Sequence, residues 1–148
     1  LFRSDGFVNQ IKAKYPKIKV VDIQYGGGDH LKSAEIAKTL LIAHPKLKGI
    51  FGTNEGSAIG AGKGVKESKK SGVVIIGFDS GKAQKDMIQD GTIAGAITQN
   101  PVGIGYKTVE AAVKALKGEK LPKVIDTGFY YYDKSNMADP KIASVLYD

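Results

Sequence analysis

Six polar side chains stand where this sequence could most readily build chemistry: Arg3, Asp29, His30, Asn54, Asp79 and Gln99. Asp79 closes the run Val73-Val74-Ile75-Ile76-Gly77-Phe78, which is almost wholly apolar and rich in β-branched residues. Such a run suits a strand buried on both faces of a parallel sheet. A residue just past that strand sits at its carboxyl end, the edge where open α/β sheets bind ligands. The arrangement recurs. Asp29-His30 follows an alternating segment at 17–25, Asn54 follows an apolar run at 47–52, and Gln99 follows 92–98. If these segments are parallel strands, all their carboxyl ends converge on one edge. Arg3, at the opening of a first helix, joins them if a strand precedes Leu1. The carboxylates accept hydrogen bonds, the amides donate and accept, and the guanidinium donates through a fork. Sugar hydroxyls donate and accept at once, so this is the chemistry of a polyol site. Taken singly, Asn54 and Asp79 fit equally well as helix caps, and Arg3 as a surface ion-pair partner. Four such residues on one expected edge favour the site.

The elements that must position them alternate along the chain. Ser4 or Asp5 can cap a helix with Phe7, Val8 and Ile11 on its apolar stripe, stopped at Tyr15-Pro16. Residues 17–25 alternate Ile18, Val20, Val21 and Ile23 with polar residues and read as a strand. Gly26-Gly27-Gly28-Asp29 is then a flexible loop. Residues 31–44 form an amphipathic helix with Leu31, Ala34, Ala37 and Leu41 on one face, stopped by Pro45. A strand at 47–52, a glycine-rich helix at 55–70 and the strand ending at Asp79 follow. Ser80 then caps a short helix running through Gln89. Asp90-Gly91 turns the chain into a strand at 92–98, and an amphipathic helix spans 102–117. A last strand lies at 123–132, and Asp139-Pro140 starts a terminal helix. This alternation implies an α/β fold: a mostly parallel sheet with helices on both faces and right-handed crossovers.

Several chemistries are excluded by detail. Gly60-Ala61-Gly62-Lys63-Gly64 imitates a phosphate loop, but Gly64 stands where Ser or Thr must follow the lysine, and Ser57 replaces the first glycine. Close helix–sheet packing explains these glycines better. Gly26-Gly27-Gly28 lacks dinucleotide-loop spacing, so no nucleotide cofactor is expected. Zero Cys and only two His, His30 and His44, argue against a metal site. No Gly-x-Ser-x-Gly motif or Ser–His–acid grouping is legible. Asp22 or Glu55 could pair with Asp79 as hydrolase carboxylates, but Asp22 lies mid-strand and Glu55 at a helix terminus. The net charge of +7 invites nucleic acid, yet only Lys69-Lys70 is a doublet, and the lysines read as a solvated surface. The Phe129-Tyr130-Tyr131-Tyr132 run fits an edge strand packing every second ring better than a carbohydrate-stacking platform. No apolar run reaches membrane-spanning length, and the start at Leu1, without Met or signal core, reads as a fragment or processed product.

Taken in order, Arg3-x-x-Gly6-Phe7, Asp29-His30, Phe51-Gly52-Thr53-Asn54-Glu55, Val74-Ile75-Ile76-Gly77-Phe78-Asp79, Asp90-Gly91-Thr92-Ile93 and Thr98-Gln99-Asn100-Pro101 resemble the ribose-type periplasmic sugar-binding proteins. These are solute receptors of ABC importers, and lac-repressor effector cores share their fold. The resemblance runs from Leu1 to about Tyr132. It implies two Rossmann-like lobes joined by three hinge strands, closing on a sugar. Residues 1–99 then correspond to the carboxyl-terminal lobe, entered after its first strand. Residues 100–126 correspond to a hinge crossing and a helix that belongs with the amino-terminal lobe. Residues 127–148 are a return strand and a tail, expected to pack outside the lobe. The family's polar ligand contacts fall on Arg3, Asn54, Asp79 and Gln99. His30 stands where the family often places an aromatic stacking residue.

The resemblance implies a non-enzymatic receptor for a monosaccharide or related polyol, needing no metal or nucleotide. Its partners would be the ABC importer membrane subunits, and its place periplasmic, or extracellular and membrane-anchored. Two rivals share the residues: the effector core of a sugar-responsive transcription regulator, and an α/β sugar-processing enzyme. Without an amino-terminal lobe the apolar side of 102–117 would lie exposed. The helix is therefore expected to fold back, to swap with a neighbouring copy, or to contact residues outside this sequence.

Overall fold

The structure, a computed structural model, describes residues 2–147; Leu1 and Asp148, the outer limits of the expected lobe and tail, lie outside them. Ten elements follow one another: α1(Phe2–Lys14), α2(His30–Ala43), β1(Gly49–Phe51), α3(Glu55–Glu67), β2(Val74–Phe78), α4(Lys82–Gln89), β3(Gly95–Gln99), α5(Pro101–Leu116), β4(Phe129–Tyr132) and α6(Pro140–Ala143). The strands form one sheet in the order β1-β2-β3-β4, the first three parallel and β4 antiparallel to β3. The expected α/β class and mostly parallel sheet are therefore present.

Register separates the two faces. Phe51 lies beside Ile76, and Phe78 beside Ile97, so these side chains share a face. On it, α1 stacks Phe7 against Phe51 with ring centroids 4.9 Å apart. The opposite face carries Ile75, Gly77, Ala96, Thr98 and Tyr132, and here the core forms under α3 and α4. Ala58, Ile75, Ala96 and Tyr132 are fully buried. The second face is thus the dry one, while Val74 on the first remains half exposed.

The glycines of α3 make a seam rather than a phosphate loop. Gly56, Gly60 and Gly64 recur every four residues and line one side of the helix. A Cβ on Gly56 would overlap the Gly28 carbonyl oxygen. One on Gly60 would lie 2.5 Å from the His30 carbonyl oxygen, and one on Gly64 2.6 Å from that of Ala34. The stripe packs on α2 and its leading loop, so the close contact is helix on helix; the expected helix–sheet packing is corrected on this point. The consequence for function is positional, because the seam pulls the Gly28-Asp29 loop against the start of α3.

Four other expectations are corrected. Residues 17–25 form no strand. β1 lies at the sheet edge, no described strand runs beside 17–25, and an extended segment without a ladder partner gains nothing from its alternation. Ile18, Val20, Val21 and Ile23 are accordingly exposed. The last strand is likewise confined to Phe129–Tyr132, where β3 offers partners. Helix α5 does not fold back: none of its residues is buried, and Val102, Tyr106, Val109, Val113 and Leu116 form an exposed stripe. The tail does the opposite of packing outside, for Val145 is buried and Met137, Ile142 and Leu146 rest on the core.

Candidate ligand-binding site

Arg3 sits in the first turn of α1, and its guanidinium spans three elements. Nη1 donates to the Thr53 carbonyl oxygen at 2.8 Å, and Nη2 to Gln99 Oε1 at 3.3 Å. Its Cζ lies 3.6 Å from the centre of the Phe78 ring, a cation–π distance. One side chain thereby ties together the carboxyl ends of β1, β2 and β3. The guanidinium is planar and carries five donors, so several N–H groups remain beyond the two in use.

Asn54 and Gln99 keep donors in the same way. Asn54 caps α3, its Oδ1 accepting from the Ser57 amide at 2.9 Å. The capping role anticipated for it is real, but it occupies the oxygen and leaves the NH2 group for another partner. Its Nδ2 faces the Gly28 loop. Gln99 spends its oxygen on Arg3 and retains its own NH2.

Asp79 carries a carboxylate, which can only accept. It does not cap a helix: α4 begins at Lys82 with Gly81 as its N-cap, so Ser80 does not cap it either. The Asp79 carboxylate makes no hydrogen bond or ion pair among the described residues. The residue adopts φ +74°, the left-handed region that side chains other than glycine seldom occupy. Its backbone is held from three directions. The amide donates to the Ile97 carbonyl at 2.8 Å. Its carbonyl accepts from Gln84 Nε2 at 2.6 Å and from the Tyr132 hydroxyl at 2.8 Å. Gln84 also donates to the Phe78 carbonyl at 3.2 Å and to the Tyr132 hydroxyl at 3.1 Å.

The remaining expected residues take lesser places. Asp29 caps α2, its Oδ1 accepting from the Lys32 amide at 2.7 Å, and that hydrogen bond holds its carboxyl below the usual range. His30 opens α2 beside it, exposed, and its imidazole has no hydrogen-bond partner among the described residues. The structure thus brings Arg3, Gln99, Thr53 and Phe78 into contact, with Asn54 and Asp79 next to them in the chain, while Asp29 and His30 follow the Gly28 loop that Asn54 faces. Neither carboxylate partner suggested for Asp79 is at liberty. Glu55 Oε2 accepts from the Gly81 amide at 3.0 Å, standing in for a cap on α4. Asp22 is engaged locally by the Ile23 amide and Gln24. Among the described residues, no group of three His, Cys, Asp or Glu side chains could hold a metal ion, and no helix is long and apolar enough to cross a membrane.

Burial beneath the site pushes the Tyr132 hydroxyl up to about 12; hydrogen bonding from Gln84 pulls it down, and the charges of Glu55 and Asp79 add to the rise. Tyr147 is raised by burial too, opposed by Ser80 and reinforced by Asp79 and Glu55. Gln84 has no sequence signal pointing to it. Tyr132 was visible only as one ring of an aromatic run, and alternation places it inward while Phe129 and Tyr131 face solvent.

A family model described as a periplasmic binding protein domain matches residues 1–120. The chain belongs to that family. Among its periplasmic binding protein relatives, the ribose import binding protein of Escherichia coli K12 is 36% identical over 119 residues, covering 80% of this chain and 40% of that protein. The D-apiose import binding protein of Paraburkholderia graminis is 30% identical over 115 residues, 78% of this chain and 36% of that one. Among solved structures, an ABC transporter solute binding protein from Agrobacterium vitis, bound with α-D-tagatopyranose, superposes with a TM-score of 0.90 at 34% identity. It covers 97% of this chain and 48% of that chain. A carbohydrate transporter solute binding protein from Agrobacterium radiobacter, in complex with D-arabinose, gives 0.89 at 38%, covering 97% and 49%. The chain therefore spans about 40% of the length of the curated relatives it matches. These relatives are binding proteins, of the ribose type anticipated from the motifs.

Proposed function

We propose that this chain is the carboxyl-terminal lobe of a receptor for a monosaccharide or related polyol, which delivers its ligand to an ABC importer. Arg3, Asn54, Asp79 and Gln99 make the polar contacts, with His30 at the rim. The observation that carries the reading is a cluster at the strand ends. Among the described residues, the Asp79 carboxylate is free of hydrogen bonds, the oxygens of Asn54 and Gln99 already accept while their NH2 groups do not donate, and Arg3 keeps donors beyond the two in use. A hydroxyl can donate to the carboxylate while accepting from an amide or from Arg3, and adjacent ring hydroxyls repeat the pattern.

The α-D-tagatopyranose and D-arabinose bound by similar solved proteins support the substrate class. Residues 100–126 are assigned to the crossing into an amino-terminal lobe, and the exposed stripe on α5 to contacts within it. Residues 127–147 return and complete this lobe. Ligand held here bridges to the second lobe and shifts the open–closed equilibrium, and the importer's membrane subunits read the closed form. Such a receptor works outside the cytoplasmic membrane. It is read as a binder and not an enzyme, which its periplasmic binding protein relatives support.

Calorimetric titration of the full-length receptor with pentoses, hexoses and polyols tests this. One sugar binds at micromolar concentration or tighter, and Asp79→Ala and Asn54→Ala each weaken it about ten- to hundredfold, the cost of losing a hydrogen bond to a charged or buried group. Silence across the panel overturns the ligand class.

A further inference from the structure

The backbone carbonyl of Asp79 is held by two side chains from beneath the sheet edge. Gln84 and Tyr132 are both fully buried, on α4 and β4, and both end on the Asp79 carbonyl oxygen. Gln84 is an expensive choice there. Its Oε1 is buried without a hydrogen-bond partner among the described residues and lies above Gly77, where a Cβ would come within 2.6 Å of it. A buried acceptor left unsatisfied is destabilising, and an apolar side chain of the same length would avoid the loss. Its Nε2, by contrast, reaches three acceptors: the Phe78 and Asp79 carbonyls and the Tyr132 hydroxyl. Tyr132 donates in turn to the Asp79 carbonyl. What these bonds hold is a left-handed aspartate, a conformation that persists only where surrounding structure over-determines it.

We propose that Gln84 and Tyr132 are positioning residues that lock Asp79 at positive φ, so that its carboxylate is already aimed when ligand arrives. The proposal rests on reading Asp79 as a ligand contact, but its conformational half does not need the ligand. Released from the clamp, Asp79 relaxes toward extended backbone and its side chain swings off the donor cluster. Binding then requires reordering, and apparent affinity falls by the fraction of molecules still competent.

The test is NMR of the isotope-labelled chain without ligand, comparing wild type, Tyr132→Phe and the double variant Tyr132→Phe/Gln84→Met. Tyr132→Phe keeps the ring and its packing. A strong intraresidue amide–Hα cross-peak marks positive φ at Asp79 in the wild type. It is expected to weaken in Tyr132→Phe and to vanish in the double variant, while cross-peaks of β1 and α2 stay in place. Should the double variant fail to fold, Tyr132→Phe decides alone. A cross-peak unchanged in every folded variant overturns the proposal. Titration of D-ribose, D-allose and D-arabinose into full-length receptor adds the functional half. Tyr132→Phe is expected to weaken whichever of them binds by about three- to tenfold, the worth of one hydrogen bond, and unchanged affinity counts against positioning. If none binds the wild type, the sugar reading fails while the cross-peak still decides the clamp.

Discussion

Tyr132 shows how one side chain can serve both core and site, and its burial sets a pH limit on the molecule. Its hydroxyl is pushed up to about 12 in the folded chain, chiefly by burial, whereas an exposed tyrosine ionises near pH 10. A raised folded pKa means the unfolded state releases its proton first. The contribution is therefore intact below about pH 10 and drains away as pH climbs toward 12. Two units correspond to a loss on the order of 2–3 kcal/mol. Urea midpoints measured at intervals across that range should fall for the wild type, and the fall should be smaller in Tyr132→Phe, which has no proton to lose. Equal slopes would show that Tyr132 is not the group responsible. Asn54, Asp79 and Gln99 were legible as a set because each closes or follows an apolar run, and parallel strands must end together; Arg3 joined them only on the expectation of a strand before Leu1. Gln84 was not legible. A glutamine in a short amphipathic helix looks like any solvated residue until the fold turns it under Asp79.

At the scale of elements, the α2–α3 seam gives glycine two opposite values. In α3 the missing Cβ lets backbones touch, so Gly60→Ala drives a methyl group to 2.5 Å from the His30 carbonyl oxygen. Overpacking of that kind costs about 1–3 kcal/mol, more than the helix propensity gained. Gly105 in α5 is exposed and has no heavy atom within 4 Å of a would-be Cβ. Gly105→Ala should raise stability by about 0.5–1 kcal/mol. Thermal denaturation of the two variants should move in opposite directions, and a Gly60→Ala chain as stable as wild type would refute the seam. The four-residue spacing of these glycines was readable, but the partner was not, because periodicity identifies a face without saying what covers it. The segment 17–25 failed for a related reason. Its alternation of Ile18, Val20, Val21 and Ile23 is genuine strand patterning, yet a strand exists only with a neighbour, and the neighbour is not in the pattern.

Across the whole molecule, the sheet has a dry face and a wetter one, and two segments outside its core expose many apolar residues. Val102, Tyr106, Val109, Val113 and Leu116 along α5 are all exposed, as are the apolar residues of 17–25. Apolar stripes left exposed in this way generally mark contact surfaces. If α5 belongs with an amino-terminal lobe, the same substitution must behave differently in two settings. In the 148-residue chain, Val109→Lys with Val113→Lys should leave the melting temperature unchanged and reduce concentration-dependent self-association in sedimentation. In a chain that carries such a lobe the pair should destabilise by about 2 kcal/mol per residue, because each valine would lose a buried site. Hydrogen exchange should agree, with amides of 17–25 unprotected in the short chain and protected once a strand lies between them and β1. A short chain that loses stability on the double substitution would mean that α5 already packs against something. A dimer that survives it would mean that self-association runs through some surface other than the α5 stripe, and exchange of α5 between copies would be ruled out with it.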